Sequence, residues 1–400
     1  MPAITPAVQK VTPSDGEGRA WFGTSVAVFG DIALAGAPNA TVNGHQGQGA
    51  VYIYNRVNGI WKQTQKLVAS DGAAGDQFGQ VATLFNGKTI IVAAPLATVG
   101  GQTWVGAAYV FSLVGTSWVQ KQKLTPNGGE AFGTFGKCIA LNANYALIGA
   151  GGAFRTGQYV MGSTYVFHFV SSHAGGSWNQ TQRILAPDPN DDTAFFGCAA
   201  AISNDTAIVG AYASTVGGNL GQGVTYVFSL SGGNWILSDK LTASDGAARD
   251  NFGVSLALQG KTAFIGAPGN AGSQGAVYRF EKQGSHWVQA QRLTALDGTP
   301  FSVFGASVNF ANARVLVGAY ATNSYRGAAY VFSASSGGVW AQRRKMAPAD
   351  AETGDVFGYH TALDNDTALV SSWGADVGNN PGQGVAYLYH LGPLGPAPTT

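Results

Sequence analysis

The stretch that decides the fold is FGVSLALQGKTAFIGAPG, residues 252–269. Phe252-Gly253 opens a predicted strand, Gln259-Gly260 forms a tight turn, and a second strand ends in Gly266-Ala267-Pro268. Two short runs of strand-forming residues joined by such a turn predict a β-hairpin. The pair Phe-Gly begins a similar unit seven times in the chain, with Phe at positions 22, 78, 135, 196, 252, 304 and 357.

These units repeat with a nearly constant length. Successive copies are 52 to 61 residues apart, and a period of this size indicates stacked supersecondary units. Each copy holds four strand-like runs, which in the second unit read FGQVATLF, TIIVAAP, GAAYVFSL and WVQKQKL. No stretch has a convincing helical period. The pattern predicts an all-β chain in which residues 1–400 form one seven-bladed β-propeller of four-stranded antiparallel blades.

The two ends of the chain indicate how the last blade is completed. The seventh unit ends at AYLYHLGPLGPAPTT without a fourth strand. The N-terminal stretch TPAVQKVTPSDG (5–16) matches the fourth-strand sequence WKQTQKLVASDG (61–72). We therefore expect a strand at residues 5–13 to complete the seventh blade and close the ring, which removes an exposed sheet edge.

Composition narrows the possible functions. Charged residues make up 11% of the chain, and the formal net charge is +1. Without a basic block the chain lacks the electrostatic pattern of nucleic-acid binding, and no apolar run is long enough for membrane insertion. The N-terminus, MPAITPAVQK, carries no signal-peptide pattern. Cys138 and Cys198 face opposite sides of their strands and are expected to be small buried thiols without a disulfide.

The repeated motifs carry a resemblance to a known family. Phe-Gly, Gly-Ala-Pro at 36–38 and 266–268, and variants such as Ala-Ala-Pro at 93–95 resemble the FG-GAP repeat family. The resemblance covers essentially the whole chain. It implies a seven-bladed propeller similar to the head of integrin α subunits and to bacterial surface or secreted proteins. It also implies an extracellular or cell-surface location, whereas a fold alone does not define an activity.

The same resemblance raises the question of calcium. Integrin-type blades often carry a D-x-D-x-D-G loop between the second and third strands. Across the seven corresponding loops of this chain, Asp376 is the only carboxylate, whereas Ca²⁺ takes six to eight oxygen ligands, several of them from carboxylates. We expect no cofactor and no metal site. The acidic stretch DPNDD at 188–192 is predicted to be a solvated turn.

Residues that recur in every unit are predicted to be structural. Each Phe of Phe-Gly packs blade against blade. The residues two and four positions after the Gly are mostly small, which lets them fit where the inner strands are crowded. Asp76, Asp250 and Asp355, each two residues before a Phe, are expected to cap turns. The fourth-strand tryptophans are predicted to pack between blades, and the alternative is that they form stacking platforms for sugars. They are Trp61, Trp118, Trp178, Trp235, Trp287 and Trp340.

Residues that differ between units point to binding. In a propeller, the loops between second and third strands and the connections between blades emerge on one face, and differences between repeats usually map to the functional face. Aromatic residues and arginines in these segments suit a recognition surface. The alternative is that each of them packs on its own loop. The predicted ligand-binding residues are Trp21, Trp104, Phe154, Arg155, Tyr159, Tyr212, Tyr320, Tyr325, Arg326 and Trp373, and Phe132 joins them from an entering connection.

No catalytic residues are predicted, because no nucleophile, zinc, phosphate-loop or dinucleotide motif is present. The six histidines fall at unrelated repeat positions, and His360 is interpreted as a polar filler. The sequence therefore predicts a non-catalytic recognition protein, and low charge with abundant Asn, Gln and Gly favours a glycan as ligand. One alternative is an adhesion module that binds a surface protein. Another is a polysaccharide-degrading propeller enzyme, which would need converging His, Tyr, Arg or carboxylate side chains.

Overall fold

In a computed structural model, the chain forms seven four-stranded antiparallel sheets, which are the blades of the predicted β-propeller. The structure describes residues 8–152, 154–155, 158–159, 162–172, 176–187, 195–335 and 337–394. Within these residues each blade from the first to the sixth uses four strands in chain order. The fold class predicted from the repeat is confirmed.

The strands are short and begin and end at closely similar repeat positions; the second strand of each blade is buried almost throughout, and the outer strand alternates in burial. The N-terminal strand β1 spans Val8–Val11. The first blade consists of β2 (Ser25–Phe29), β3 (Ile32–Ala37), β4 (Ala50–Val57) and β5 (Ile60–Leu67). The second blade consists of β6 (Val81–Phe85), β7 (Thr89–Ala94), β8 (Ala107–Val114) and β9 (Ser117–Leu124). The third blade is β10 (Phe135–Leu141), β11 (Tyr145–Ala150), a loop hairpin of β12 (Phe154–Arg155) and β13 (Gln158–Tyr159), then β14 (Ser163–Val170) and β15 (Ser177–Leu185).

The remaining blades repeat the same plan. The fourth blade consists of β16 (Ala199–Ser203), β17 (Thr206–Ala211), β18 (Val224–Ser231) and β19 (Asn234–Leu241). The fifth blade consists of β20 (Leu256–Gln259), β21 (Thr262–Ala267), β22 (Ala276–Gln283) and β23 (His286–Leu293). The sixth blade consists of β24 (Ser307–Ala311), β25 (Arg314–Ala319), β26 (Ala328–Ala334) and β27 (Trp340–Met346). The seventh blade contains β28 (Thr361–Asp364), β29 (Thr367–Ser372) and β30 (Val385–His390).

The seventh blade takes its outer strand from the other end of the chain. Strand β1 pairs antiparallel with β30, in a register that places Val8 opposite Tyr389 and Val11 opposite Ala386. The described strand is shorter than the predicted span of 5–13, and residues 5–7 lie outside the described residues. Completion of the last blade by the N-terminal strand is therefore confirmed.

By its internal contacts the chain divides into two compact units. Unit 1 comprises residues 1–97, 109–121 and 309–400, which hold the first and seventh blades and most of the second and sixth. Unit 2 comprises residues 98–108 and 122–308, which hold the third, fourth and fifth blades.

The Phe of each Phe-Gly pair is fully buried. In unit 1, the Phe78 ring lies edge-on against Tyr109 and Phe111 of its own third strand, at centroid distances of 5.5 and 6.0 Å. In unit 2, Phe196 shares a core cluster with Leu147 of the preceding blade. The predicted packing role is confirmed, with the third strand of the same blade as the direct aromatic partner.

The Phe-Gly pair lies before its strand rather than opening it, except at Phe135. The Phe78 amide donates to the Gln48 carbonyl of the preceding loop at 2.9 Å. Gly79 has φ of +94°, and a Cβ there would lie 2.5 Å from the Ala50 carbonyl oxygen. The chain bends at this glycine before it enters the sheet, because only glycine fits a left-handed backbone so close to its neighbour.

The fourth-strand tryptophans are 2 to 7% exposed, so they pack between blades and the sugar-platform alternative is wrong. In four of the outer strands, one Gln side chain fastens the strand to the outer strand of a neighbouring blade. Gln65 Nε2 donates to the Trp118 carbonyl, and the Trp118 amide donates back to Gln65 Oε1, both at 2.8 Å. The same paired bonds join Gln9 to Trp61, Gln122 to Trp178 and Gln182 to Trp235.

Helical structure is limited to two single turns within the described ranges, α1 (Asn270–Ser273) and α2 (Thr322–Tyr325). Ala271 and Asn323 have φ of 51° and 52°, so these turns visit the left-handed region and shorten the loops of the fifth and sixth blades. Neither of these described turns has the length and apolar character needed to cross a membrane.

Cys138 and Cys198 are both free thiols, as expected. The Cys138 thiol is buried and donates to the Gly197 carbonyl at 3.2 Å. Burial raises the pKa of each thiol to about 12. Both cysteines therefore remain protonated at neutral pH and are packing residues.

Candidate functional site

The variable loops contact the connections that enter the next blade. Where the second blade follows the first, the Gln77 amide in the entering connection donates to the Gly47 carbonyl in the preceding blade's loop at 3.0 Å. In unit 2, the Asn251 amide makes the equivalent bond to the Gly221 carbonyl at 3.0 Å. Within each unit, variable loops and entering connections are therefore neighbours, as the fold predicts.

In unit 1, five aromatic side chains form a continuous row on these loops, which we name the aromatic belt. Its members, in spatial order, are Trp21, Trp373, Tyr359, Tyr320 and Tyr325. Successive ring centroids are separated by 5.5, 5.5, 5.0 and 6.5 Å. Four of these residues were predicted as ligand-binding from the sequence, and the row brings them together.

Each belt residue replaces a smaller residue at a repeat position. Trp373 and Tyr320 stand where Gly-Ala-Pro has its proline, and Trp21 immediately precedes its Phe-Gly with a left-handed φ of 57°. Tyr325 is 54% exposed, and the other four are half-buried. The exposed residue Arg326, also predicted as ligand-binding, follows Tyr325 directly. The belt is thus an apolar surface with one protruding ring and a cationic neighbour.

His360 lies at the edge of the belt. Its ring centroid is 5.0 Å from that of Tyr359, and its backbone exchanges hydrogen bonds with the Ser371 hydroxyl. Crowding by protein lowers the pKa of His360 to about 4, so the imidazole is neutral at physiological pH. Within the described part of the chain, no group of three or more His, Cys, Asp and Glu side chains is placed to hold a metal ion.

Other predicted site residues lie in unit 2. Tyr212 stacks on Phe195, with a centroid distance of 5.2 Å and an interplanar angle of 10°. Trp104 is 43% exposed and packs edge-on against Phe132 at 5.3 Å. These pairs contact loop neighbours, as the alternative interpretation expected, while Trp104 keeps an exposed part. The side chains of Phe154, Arg155 and Tyr159 lie outside the described residues, as does the acidic stretch 188–192.

Two exposed or partly exposed aromatic residues in this region were not predicted from the sequence. Tyr359 completes the belt, but it directly follows a Phe-Gly pair and so lies outside the variable loops to which ligand binding was assigned. Phe301 is 72% exposed with φ of 64°, and it stands three residues before Phe304, where the second and seventh units have Gly75 and Gly354. An aromatic residue at a position that other repeats give to glycine was the available signal.

The acidic residues of the connections are used structurally. Asp76, Asp250 and Asp355 each accept a hydrogen bond from a backbone amide three residues earlier, at 2.9 Å, which confirms the predicted capping. Asp245 accepts from the Tyr278 hydroxyl at 2.7 Å and pairs with Arg292 at 3.3 Å, so it links side chains as well as turning the chain.

Neither of two cavities in the described part of the chain is lined by a belt residue. One is lined by residues that include Gln9, Trp61 and Thr367, and the other by residues that include Glu130 and Arg183. Each has a volume of about 10 Å³, which is space for about one water molecule. They are too small for an organic ligand.

Comparison with known proteins agrees with the repeat. The chain matches the FG-GAP repeat family in seven segments, residues 6–54, 61–111, 118–167, 178–228, 235–280, 287–332 and 340–389. No curated protein sequence matches the chain. Among solved structures, a chain from the crystal structure of a mitotic checkpoint complex is similar, with a TM-score of 0.58 and 10% identity over 96% of this chain and 92% of that chain. At this identity the likeness concerns the fold alone.

Proposed function

The chain belongs to the FG-GAP repeat family, and we propose that it is a non-catalytic recognition scaffold that binds a partner protein through the aromatic belt. FG-GAP propellers are scaffolds of the protein-interaction or adhesion type, and the repeats are typical of extracellular or surface proteins. We extend both properties to this chain as part of the proposal.

The observation that carries the proposal is the belt itself. Trp and Tyr are enriched among the few residues that dominate binding energy, because they bury a large rigid area with little loss of side-chain entropy. Tyr325 protrudes from the row, whereas Trp21 and Trp373 hold each other edge-on at 5.5 Å. A protruding anchor beside a pre-packed apolar floor suits insertion into a pocket on another protein. Arg326 and Arg19, both exposed, supply a polar rim.

A neutral glycan is the second candidate, as the sequence favoured. Asn323 and Ser324 are exposed immediately before Tyr325, so an exposed ring has amide and hydroxyl groups beside it. Sugars bind such combinations through stacking and hydrogen bonds to neutral side chains. The third candidate is a polysaccharide-degrading enzyme. Such an enzyme would need a second catalytic side chain beside the neutral His360 imidazole.

The proposal is tested by crosslinking at defined positions. A photoreactive phenylalanine analogue replaces Tyr325 in one protein and Phe29 in another, since Phe29 is also exposed, at 42%, but lies at a strand-to-strand hairpin of the first blade. Surface extract from the native source should yield a discrete crosslinked protein at position 325 and none at 29. Trp21→Ala should weaken that crosslink.

Parallel measurements separate the other candidates. Binding to a glycan array that is lost in Tyr325→Ala would replace the protein partner by a carbohydrate. Release of reducing ends from polysaccharides, lost in His360→Ala, would indicate an enzyme. Equal crosslinking at positions 325 and 29 would remove the belt from the interaction.

A further inference from the structure

We propose that a side-chain carboxamide, rather than a calcium ion, holds the long loops of the first, fourth and seventh blades in shape. The three residues are Gln48, Gln222 and Gln383, and we name this arrangement the loop clasp. It concerns the scaffold and is independent of the proposed partner. Family resemblance implies calcium at these loops.

The loops do not fit calcium. The single carboxylate among them, Asp376, already accepts a hydrogen bond from the Gly382 amide at 2.7 Å. No other Asp or Glu occurs in any of the seven loops. A calcium site needs six to eight oxygens with several carboxylates, and these loops offer chiefly neutral side chains and backbone groups.

Part of that order comes from a backbone hairpin at each loop tip. Val42 and His45 exchange two hydrogen bonds, of 3.2 and 2.9 Å. The fourth and seventh blades have the same bridge, between Val216 and Asn219 and between Val377 and Asn380. The tip is thereby closed by main-chain bonds in the place where a metal-binding loop would wrap around its ion.

The clasp glutamine is buried beneath the tip. Gln48, Gln222 and Gln383 are 4, 5 and 3% exposed. Gln222 Oε1 accepts from Asn219 Nδ2 at 2.9 Å, and Gln383 Oε1 accepts from Asn380 at 2.8 Å. In the first blade, Gln48 Oε1 lies 3.2 Å from His45 Nδ1. The residue at the tip and the buried glutamine therefore form a matched polar pair in all three loops.

The clasp also reaches the connection that enters the next blade. A Cβ added at Gly72 would lie 2.6 Å from Gln48 Nε2, and the corresponding distances are 2.3 Å from Gly246 to Gln222 and 2.3 Å from Gly16 to Gln383. The glycine of each Ser-Asp-Gly turn is thus required by the carboxamide packed on it. Each loop is fixed to its neighbouring connection without a metal ion.

The second blade supports the same interpretation. Its loop has the tip bridge between Val99 and Gln102, but Val105 stands in the place of the clasp glutamine. Val105 is 4% exposed, and its Cγ1 would lie 3.0 Å from a Cβ at Gly129. A valine cannot ligate a cation, so this is a packing position, which the first, fourth, fifth and seventh blades fill with a glutamine.

The test uses the full chain and two substitutions in one loop. Gln48→Met keeps the side-chain volume and removes the amide, while Gln46→Met alters an exposed residue of the same loop. Hydrogen exchange at the amides of His45, Gly49 and Gly75 should be on the order of tenfold faster in Gln48→Met and unchanged in Gln46→Met. Gln222→Met repeats the comparison in the fourth blade, in case Gln48→Met does not fold.

Calcium itself is tested in the same proteins. Thermal unfolding midpoints of the unsubstituted chain in chelator and in millimolar calcium should coincide, because a ligand that binds only the folded state raises the midpoint. A midpoint raised by calcium, or equal exchange rates in the Gln48 and Gln46 variants, would overturn the proposal. Neither readout involves a partner, so failure here is distinct from failure of the proposed function.

Discussion

The bond pair between Gln65 and Trp118 offers a quantitative test of how the blades are held together. Gln65→Ala removes two hydrogen bonds of 2.8 Å to the Trp118 backbone. Each bond contributes about 1 kcal/mol net, and a buried group left without a partner adds to the loss. We therefore expect local opening of the second blade's outer strand to become easier by about 2 kcal/mol, which corresponds to about thirtyfold faster exchange of the Trp118 amide.

The assay is hydrogen exchange under native conditions, with urea unfolding alongside it. Lys62→Ala is the matched control, because Lys62 is an exposed residue of the same strand. Asp239 provides a natural comparison in unit 2, where it accepts from the Trp287 amide at 2.9 Å in place of a glutamine. If the Trp118 amide exchanged at the same rate in Gln65→Ala and Lys62→Ala, the glutamine would not fasten the strands and the reasoning would fail.

Three further outcomes follow from single groups. Phe301→Gly should stabilise the chain by about 1 kcal/mol in urea unfolding, because a left-handed backbone costs a non-glycine residue on that order and the ring is 72% exposed. The hydrogen bond from Lys10 lowers the pKa of Asp350; the stability it contributes is present above about pH 4 and is lost as the pH falls through the lower folded pKa. Asp350→Asn should therefore lower the thermal midpoint at neutral pH and match the unsubstituted chain in acid. Cys138, which is buried and whose pKa is raised to about 12 by that burial, should resist a thiol reagent in the folded chain and react in urea.

Each of these outcomes has a defined contradiction. A lower urea midpoint for Phe301→Gly would mean that the ring stabilises its loop, and Phe29→Ala serves as the control for loss of an exposed ring. A constant effect of Asp350→Asn across the pH range would remove the ion pair as its cause. Rapid labelling of Cys138 in the folded chain would contradict its burial.

The contacts of the belt could not be read from the repeat. Trp21 lies near one end of the chain and Trp373 near the other, and they meet because β1 completes the seventh blade beside the first. The choice of Trp21, Tyr320 and Trp373 was possible because they depart from the repeat, whereas Tyr359 was missed because it directly follows a Phe-Gly pair and lies outside the variable loops. The repeat indicates which residues are unusual, but it does not say which of them become neighbours.

The sequence by itself determined the number of blades, the outer strand of the last blade and the structural role of Phe-Gly. These features follow from constraints that every unit shares, so periodicity alone reveals them. Only the tertiary structure decided that Gln65 reaches the Trp118 backbone, that Gln48 packs on Gly72, and that five aromatic residues form one row. Such contacts join residues of different repeats. They depend on side-chain direction and loop conformation, which are set when neighbouring blades pack together.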